Sequence, residues 1–275
     1  MRADLHCHTK VSDGSMEPLD LIDYAARIGL DCIAVTDHDS MAGIAPAQAR
    51  AKHHGIRFIP GIEVSTYDHK HGKKVHLLCY MPVSPESLLS FCGETLAKRN
   101  ETSFAIIEKV ATKYPVDLET VKKYSCGSGA IYKQHIALAL MDMGICLSVF
   151  GELYRELFSE KTGWARVEPV YPDTRDAMKL IKETGGAAVL AHPGVYNNFD
   201  IIDELCGMGL DGIEVCHPRQ SASVENAACE AAQSHGLFKT GGSDFHGMFS
   251  TIVNPLAART APEEELPRIL NRLNK

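Results

Sequence analysis

The segment DLHCHTKVSDG, residues 4–14, opens the chain with a short strand that ends in two closely spaced histidines. Side chains two positions apart in a strand point the same way, so His6 and His8 can bind one metal ion. Cys7 lies between them and is expected to face the opposite side, toward a layer of helices. The segment therefore predicts a strand whose end carries metal ligands, and the fold depends on whether later strands repeat this pattern.

Short apolar segments alternate with amphipathic ones over most of the chain. This alternation is typical of βα units and of a mostly parallel sheet. The seven predicted strands cover residues 3–8, 31–36, 56–65, 75–81, 187–192, 212–217 and 238–242. The helices that accompany them are predicted over residues 18–28, 45–53, 174–183, 199–208, 221–235 and 263–273.

One long segment interrupts the alternation and contains only helical patterns. Within it, helices are predicted over residues 88–114, 117–124, 132–143 and 149–158. We therefore expect an α/β fold in which residues 1–82 and 169–275 form one domain. Residues 83–168 are expected to be an inserted helical subdomain.

The composition argues against several functional classes. Acidic residues outnumber basic ones by 35 to 28, so the chain lacks the positive charge that grips long nucleic acid. Its nine cysteines form no C-x-x-C pair, which indicates reduced thiols. No signal peptide or membrane span is apparent, and no obligate protein partner is indicated. A cytoplasmic protein without membrane association is expected.

Residues that can bind metal ions recur where the predicted strands end. In a closed α/β barrel these ends form the rim that carries the active site, so one metal centre is expected there. His76, near the start of the fourth strand, is the exception. Imidazole mixed with carboxylate favours zinc, manganese or iron. The rim residues are His6 and His8 at the first strand, Asp37, His38 and Asp39 after the second, Glu63 at the third, His192 at the fifth, His217 at the sixth, and Asp244 and His246 after the seventh.

Simpler interpretations compete for some histidines and aspartates. A single buried histidine is more often a hydrogen-bonded core residue than a metal ligand. Asp37 and Asp39 could cap the helix that follows the second strand, and for Asp39 capping is favoured over metal binding. Five further histidines fall in helix ends or polar turns and are expected to be exposed: His53, His54, His69, His71 and His235.

Taken together, these motifs resemble the PHP (polymerase and histidinol phosphatase) domain family, particularly its stand-alone metal-dependent phosphoesterases with a helical insertion. The resemblance implies a distorted seven-stranded (β/α)7 barrel and up to three divalent metal ions. The matching segments are DLHCHTKVSDG at 4–14, AVTDHDS at 34–40, GIEVS at 61–65, VHLLCY at 75–80, AVLAHPG at 188–194, GIEVCHP at 212–218 and GGSDFHG at 241–247.

The resemblance also implies the ligands of each ion, with one glutamate shared between two sites. Two to three ions of manganese, zinc or iron are the expected cofactors. Asp13 takes a place that is histidine in some members of the family. The first ion would be held by His6, His8, Glu63 and Asp244, the second by Glu63, His76 and His192, and the third by Asp13, His38 and His246.

The predicted insertion contains a further match. The segment SGAIYKQHIALALMDMG at 128–144 resembles a family segment that usually reads GRPHIA and that, in relatives, reaches over the metals. Lys133 stands where arginine is common, and His135 keeps the histidine. The resemblance implies that both bind the substrate phosphate, as Arg99 on the long helix does in this interpretation. For Lys133 a solvated position at the helix start is the alternative, and for Arg99 a solvated helix surface is favoured over phosphate contact.

These residues predict a phosphoesterase in which a hydroxide that bridges two metal ions attacks phosphorus. Glu63 is the expected centre of the catalytic site, and His217 is the candidate acid or phosphate contact. The expected substrate is a small nucleotide or ribose phosphate, either a monoester such as a nucleoside 3′,5′-bisphosphate or a cyclic diester such as a ribose cyclic phosphate. The alternatives are a histidinol-phosphate phosphatase, a 5′–3′ exoribonuclease on short RNA, and a structural metal-binding module without activity.

Overall fold

The structure is a computed structural model that describes residues 1–273. Its strands are β1 (Ala3–Asp4), β2 (Cys32–Val35), β3 (Arg57–Asp68), β4 (Lys73–Tyr80), β5 (Ala187–Leu190), β6 (Gly212–Cys216) and β7 (Phe238–Gly241). Its helices are α1 (Pro18–Arg27), α2 (Ile44–His54), α3 (Glu86–Ala111), α4 (Leu118–Tyr124), α5 (Lys133–Asp142), α6 (Glu152–Phe158), α7 (Thr174–Glu183), α8 (Pro193–Tyr196), α9 (Ile202–Gly207), α10 (Ala222–Ser234) and α11 (Leu266–Leu273). Short 3₁₀ turns at Phe199–Ile201 and Glu263–Glu265 precede α9 and α11.

The seven strands form one sheet in chain order from β1 to β7. Four of the six neighbouring pairs are parallel, whereas β4 runs antiparallel to both β3 and β5. The two ends of the sheet meet, since Leu5 N donates to Gly241 O at 3.2 Å and His8 N donates to Phe245 O at 2.8 Å. The predicted distorted seven-stranded α/β barrel is therefore confirmed, as a mixed sheet that is nearly closed.

The direction of β4 explains why His76 is the exception in the sequence pattern. His76 lies near the amino end of β4 and pairs with Ser65 on β3. In an antiparallel pair, the amino end of one strand lies beside the carboxyl end of the other. His76 therefore reaches the same edge of the sheet as the ligands that follow the parallel strands.

Element boundaries differ from the prediction at β1 and β3. β1 is short because the backbone beyond Asp4 pairs mainly with the segment after β7. On the side of β2 it keeps the bond from Thr36 N to Cys7 O, at 2.9 Å. β3 extends to Asp68 and turns into β4 through Gly72, whose φ of 68° favours glycine. The four-residue helix α8, which the sequence analysis did not predict, begins directly after His192.

Alternate residues of β4 face two different layers. Leu77 and Cys79 pack with apolar residues of the helices, such as Ile181 of α7. Leu78 and Tyr80 pack among residues of the other strands, in the interior of the barrel, where the Tyr80 hydroxyl donates to Leu5 O at 2.7 Å. His76 has the same parity as these interior residues, so its side chain also belongs to the inner face.

Helix α1 shows how the outer layer is held in place. Leu21 and Ile22 are buried against Ile33 of β2, and Pro18 in the first turn starts the helix without losing a backbone hydrogen bond. Cys7 belongs to the same apolar cluster. The prediction that Cys7 faces the helices is thus confirmed.

Residues 94–170 form a second compact unit with a core of its own. It contains most of α3 together with α4, α5 and α6, and it buries Ile106, Ile136, Leu140 and Phe158. The unit starts inside α3, because the first turns of that helix carry Leu88 and Cys92, which pack in a core cluster of the first unit. Among the described residues, no helix is both long and apolar enough to cross a membrane.

Candidate metal centre

All nine residues predicted as metal ligands lie in one cluster at the rim of the barrel. Their donor atoms form four overlapping groups, and within each group the atoms lie within 4.8 Å of one another. The grouping differs from the three expected sets, in which Glu63 alone was shared. In the structure His6, His8 and His38 also belong to two groups each. The groups are His8, Asp13, His38 and His246; His6, His8 and Asp244; His6, Glu63 and His192; and His38, Glu63 and His76.

Glu63 lies at the centre of this cluster and is almost completely buried. Each of its two carboxylate oxygens faces a different set of imidazole nitrogens. Oε2 lies 3.2 Å from His6 Nε2, 3.2 Å from His8 Nε2 and 3.1 Å from His38 Nδ1, whereas Oε1 lies 2.9 Å from both His76 Nδ1 and His192 Nε2.

Asp244 closes the cluster on the side of the first strand. Its Oδ1 lies 3.2 Å from His8 Nε2 and 3.6 Å from His6 Nε2, and the two imidazole nitrogens are 3.1 Å apart. The expected convergence of His6 and His8 is therefore present. Asp244 has a φ of 49° and His192 a φ of 26°. Non-glycine residues rarely adopt this backbone region, and those that do cluster at functional sites.

Asp13 and His246 form the outer part of the cluster. Asp13 Oδ1 lies 3.2 Å from His246 Nε2 and 3.7 Å from His8 Nδ1. The rings of His8 and His246 are stacked, with centroids 4.1 Å apart. Asp13 thus lies in one donor group with His8, His38 and His246, and its role as a metal ligand stays a prediction.

The spacing of these donor atoms fits divalent metal ions. In a tetrahedral zinc site with bonds of about 2.0–2.1 Å, neighbouring ligand atoms lie about 3.3 Å apart. The nitrogen–oxygen and nitrogen–nitrogen distances around Glu63 and Asp244, between 2.9 and 3.6 Å, bracket that value. Two imidazole nitrogens that face each other at 3.1 Å also need a cation or a proton between them. The donor set therefore suits zinc, manganese or iron.

Carboxylates and imidazoles change the proton affinity of one another in this cluster. Burial lowers the pKa of His8, but hydrogen bonds with Asp244 and Glu63 outweigh it and raise the pKa to about 10. For Glu63, burial raises the pKa, while the charges of His38 and His6 lower it well below its ordinary value. Because protons and metal ions compete for the same nitrogens, metal affinity falls as pH falls.

Glu214 is a site residue that the sequence analysis missed. It lies in β6 and is fully buried. Its Oε1 lies 3.1 Å from His6 Nδ1, and its Oε2 accepts the backbone N–H of His192 at 2.9 Å. A carboxylate beside the second nitrogen of a metal-binding histidine fixes the orientation of the ring. The available signal was a charged residue inside the apolar strand GIEVC.

Asp37 and Asp39 hold loops of the rim, so their interpretation as helix caps is wrong. Asp37 accepts hydrogen bonds from Thr9 N and Thr9 Oγ1 at 2.7 Å, and from Ser12 Oγ at 2.6 Å. Asp39 Oδ1 accepts from Ser65 N at 2.9 Å. Helix α2 begins only at Ile44. Asp37 therefore fixes the loop that connects His8 to Asp13.

Asp4 plays a similar part on the other side of the rim and was not singled out in the sequence. Its two oxygens accept hydrogen bonds from Ser243 N at 2.9 Å, Ser243 Oγ at 2.5 Å and Ala257 N at 2.8 Å. Burial raises the pKa of Asp4, and these bonds oppose the rise. The segment before Asp244 is thus anchored to β1.

His217 is buried and contacts the cluster without belonging to any of the donor groups. Its Nδ1 accepts the backbone N–H of Arg219 at 3.2 Å. A neutral imidazole then carries its proton on Nε2, which lies 3.3 Å from Asp244 Oδ2. This geometry makes His217 a donor that orients Asp244.

The histidines expected at the surface are exposed, with one partial exception. His53, His54, His69 and His235 are exposed. His71 is partly buried, because its Nδ1 contacts Asp68 in the turn between β3 and β4.

The three predicted phosphate contacts lie in the second unit. Lys133 begins α5, and its Nζ lies 3.3 Å from Glu168 Oε1. His135 is buried and its Nδ1 accepts the N–H of Tyr132 at 3.1 Å, while the Arg99 guanidinium lies 4.8 Å from the centre of the Tyr132 ring. Arg99 and His135 thus contact the same tyrosine, and phosphate binding by all three stays a prediction.

Comparison with known proteins places this site in a family context. The profile of the PHP domain family matches residues 4–185. A solved structure of a candidate metal-dependent phosphoesterase from Bifidobacterium adolescentis superposes with a TM-score of 0.89 at 27% identity. The superposition covers 98% of this chain and 96% of the other. The match therefore includes the whole barrel.

Three curated relatives carry names that specify a reaction. A phosphoribosyl 1,2-cyclic phosphate 1,2-diphosphodiesterase of Eggerthella lenta is 36% identical over 92% of this chain and 97% of the relative. A 3′,5′-nucleoside bisphosphate phosphatase of Chromobacterium violaceum is 32% identical over 88% of this chain and 86% of the relative. A 5′–3′ exoribonuclease of Escherichia coli is 31% identical over 88% of this chain and 84% of the relative. All three names describe cleavage of a phosphate ester bond.

Proposed function

Because the chain belongs to the PHP domain family and is a metal-dependent hydrolase of phosphate esters, we propose that its substrate is a small ribose or nucleotide phosphate. The observation that carries this proposal is Glu63, whose two carboxylate oxygens lie within 3.2 Å of five imidazole nitrogens. Such a centre suits hydrolysis of a small ester, and the alternative of a purely structural module is set aside. Cyclic ribose phosphates and nucleoside bisphosphates, named for two relatives, are the first candidates.

The nine donor residues would hold two to three ions of manganese, zinc or iron. Glu63 is the shared ligand, since its two oxygens face separate sets of histidines. Burial lowers the pKa of both His38 and His76. A lowered pKa favours the neutral imidazole, which is the form that binds metal ions.

When bound, divalent ions offset the negative charge of a phosphate ester and make a bound water acidic enough to act as a nucleophile near neutral pH. The protein's own contribution is to fix the donor atoms. Glu214 holds His6, His217 holds Asp244, and Asp37 holds the loop that carries Asp13. Lys133, His135 and Arg99 remain the predicted contacts of the phosphate oxygens, with the sequence motif at 128–144 as their support.

A panel of phosphate esters assayed with manganese, zinc or iron tests the proposal. It contains a ribose 1,2-cyclic phosphate with a 5-phosphate, adenosine 3′,5′-bisphosphate, histidinol phosphate and a short 5′-phosphorylated RNA. We expect turnover of one of the first two compounds, and loss of at least a thousandfold in Glu63→Gln. The exposed Glu183→Gln is the matched control. Absence of hydrolysis of every ester with every metal would overturn the proposal.

A 5′–3′ exoribonuclease is the second candidate, and the relative of Escherichia coli favours it. The net charge of −7 argues against binding of long strands but allows a short RNA end. Release of mononucleotides from the RNA at a higher kcat/KM than for either small compound would decide for this candidate. Preference for histidinol phosphate would decide for the remaining alternative.

A further inference from the structure

The compounds named for two relatives share one chemical feature besides the ribose. A phosphoribosyl 1,2-cyclic phosphate and a 3′,5′-nucleoside bisphosphate each carry a second phosphate group on the same sugar. If the proposed function holds, the metal ions engage the phosphate that is cleaved. The second phosphate then needs a cationic contact of its own on the rim of the barrel.

Arg219 is placed to provide that contact. It lies between β6 and α10, two residues after His217, and its backbone N–H donates to His217 Nδ1 at 3.2 Å. His217 in turn contacts Asp244 of the metal centre. The side chain of Arg219 is exposed, so it is accessible to a ligand.

The Arg219 guanidinium lacks a carboxylate partner, unlike several arginines of the barrel. Arg50 pairs with Asp23, and Arg175 pairs with Glu204. Within residues 1–273, no carboxylate oxygen lies within 4.0 Å of an Arg219 nitrogen. An unpaired cation beside a carboxylate-rich centre, in a chain of net charge −7, is well suited to bind an anion.

One hydrogen bond fixes the direction of the Arg219 side chain. Nη2 donates to Thr251 Oγ1 at 2.8 Å, which leaves the other guanidinium N–H groups available. Thr251 belongs to the loop that continues from His246, and this loop is tied back at Met248, whose N–H donates to Ser15 Oγ at 2.7 Å. Ser15 is two residues from Asp13. Both anchors of Arg219 are therefore connected to ligands of the metal centre.

We propose that Arg219 binds the second phosphate of a doubly phosphorylated ribose substrate. The planar guanidinium offers paired N–H groups that match two oxygens of a phosphate. Thr251 holds the guanidinium in place, and His217 holds its backbone. This inference rests on the proposed function, and it assigns the substrate class: a ribose with one phosphate at the metals and another at Arg219.

Matched substrate pairs distinguish phosphate binding by Arg219 from a purely structural role, in which Arg219 only holds the loop of Thr251. The pairs are the ribose 1,2-cyclic phosphate with and without a 5-phosphate, and adenosine 3′,5′-bisphosphate with adenosine 3′-phosphate and 5′-phosphate. Arg219→Met keeps the aliphatic stem and removes the charge. For the doubly phosphorylated member of the preferred pair, we expect KM to rise about tenfold to a hundredfold. For the singly phosphorylated member, kcat/KM should stay within about twofold.

The controls show which conclusion fails. Arg259→Met removes an exposed arginine that pairs with Glu225, and it should leave the substrate preference unchanged. If Arg219→Met lowers kcat/KM equally for both members of a pair, the role of Arg219 is purely structural and the inference is overturned. Absence of turnover in the wild type would instead contradict the proposed function. Calorimetric Kd values for the same compounds then still test Arg219, since wild-type affinities that do not depend on the second phosphate would refute its role.

Discussion

The Glu214 carboxylate lies 3.1 Å from Nδ1 of His6, on the opposite side of the ring from the nitrogen that faces Glu63. The other oxygen of Glu214 accepts the backbone N–H of His192. One buried carboxylate on β6 thus fixes two members of the candidate metal centre, one that follows β1 and one that follows β5. The pairing of a carboxylate with the distal nitrogen of a metal-binding histidine raises the basicity of that ligand.

Glu214→Gln tests this relationship. The substitution keeps the volume of the side chain but removes its charge, so His6 loses the group that orients its ring. We expect a Kd for Mn²⁺ that is about 10 to 100 times weaker, measured by calorimetry on chelator-treated protein. Glu183→Gln, on the exposed end of α7, is the control. An unchanged Kd in a folded Glu214→Gln variant would show that Glu214 only fills space.

His217 could either orient Asp244 or act as the general acid, and His217→Gln distinguishes the two roles. If His217 orients Asp244, Gln at this position can still donate an amide hydrogen near the position of Nε2. We then expect His217→Ala to lower kcat/KM by about ten to a hundredfold and His217→Gln to restore most of that loss. If His217 is the general acid, glutamine cannot transfer the proton, and the alkaline limb of the pH–rate profile disappears in both variants. The geometry favours recovery in His217→Gln.

The convergence of the nine donor residues could be predicted because nearly all of them follow strands of the sheet. An apolar segment of the sequence ends at or near each of four donor residues: His6, Glu63, His192 and Asp244. Because the ends of such segments gather at one rim of a barrel, their position in the sequence predicts their position in the fold. His76 was harder to place, since the direction of β4 depends on the hairpin at Gly72 and leaves no mark in hydrophobic periodicity.

The residues around the ligands were less accessible to sequence reasoning. Asp4, Asp37 and Glu214 act through hydrogen bonds to backbone groups that are distant in the chain. Such partners follow from the closure of the barrel and from loop conformation, not from local spacing. Asp39 shows the same limit, because its partner Ser65 lies 26 residues further along the chain, in β3.

Gly242 is a position where a single methyl group is expected to disturb the metal centre. A Cβ at this residue would lie 2.4 Å from His6 Cβ and 2.5 Å from His6 N. Since backbone cannot move aside without shifting β1, Gly242→Ala should weaken Mn²⁺ binding and lower the free energy of unfolding by about 1–3 kcal/mol.

Gly93→Ala is the matched control for this substitution. Gly93 lies inside α3, and a Cβ there meets nothing within 4 Å. Alanine in a helix interior is favoured over glycine by about 0.5–1 kcal/mol, so this variant should be slightly more stable. Urea unfolding of both variants measures the difference. Similar effects in the two variants would contradict the close approach of Gly242 to His6.

The pH dependence of stability is expected to include a contribution from Arg175 and Glu204. Hydrogen bonds from Arg175 lower the pKa of Glu204 to about 2. Because this pKa lies below the unfolded value of about 4.3, the stabilisation is present above about pH 4 and is lost as pH falls toward 2. Arg175→Met should therefore be less stable than the wild type at pH 7, with a gap that narrows as pH falls.

Urea unfolding at pH 7, 4 and 3 measures this gap. Lys179→Met serves as the control, because the ion pair of Lys179 with Asp176 is exposed at the helix surface. A gap between wild type and Arg175→Met that stays constant between pH 7 and pH 3 would exclude Glu204 as its source.

Removal of the metal ions should destabilise the barrel as well as abolish activity. The nine donor residues bring three carboxylates and six imidazoles into one cluster, so a ligand that binds only the folded state adds stability by mass action. At a free Mn²⁺ concentration 100 times the Kd, the gain is about 2.7 kcal/mol. For a chain of this size, the midpoint of thermal unfolding should rise by about 5–10 °C. Differential scanning calorimetry of chelator-treated protein with and without Mn²⁺ measures the shift.

In His6→Ala the shift should shrink to a small fraction of its wild-type size, while in the exposed His53→Ala it should persist. A shift of equal size in both variants would place the stabilising ions somewhere other than the cluster around Glu63.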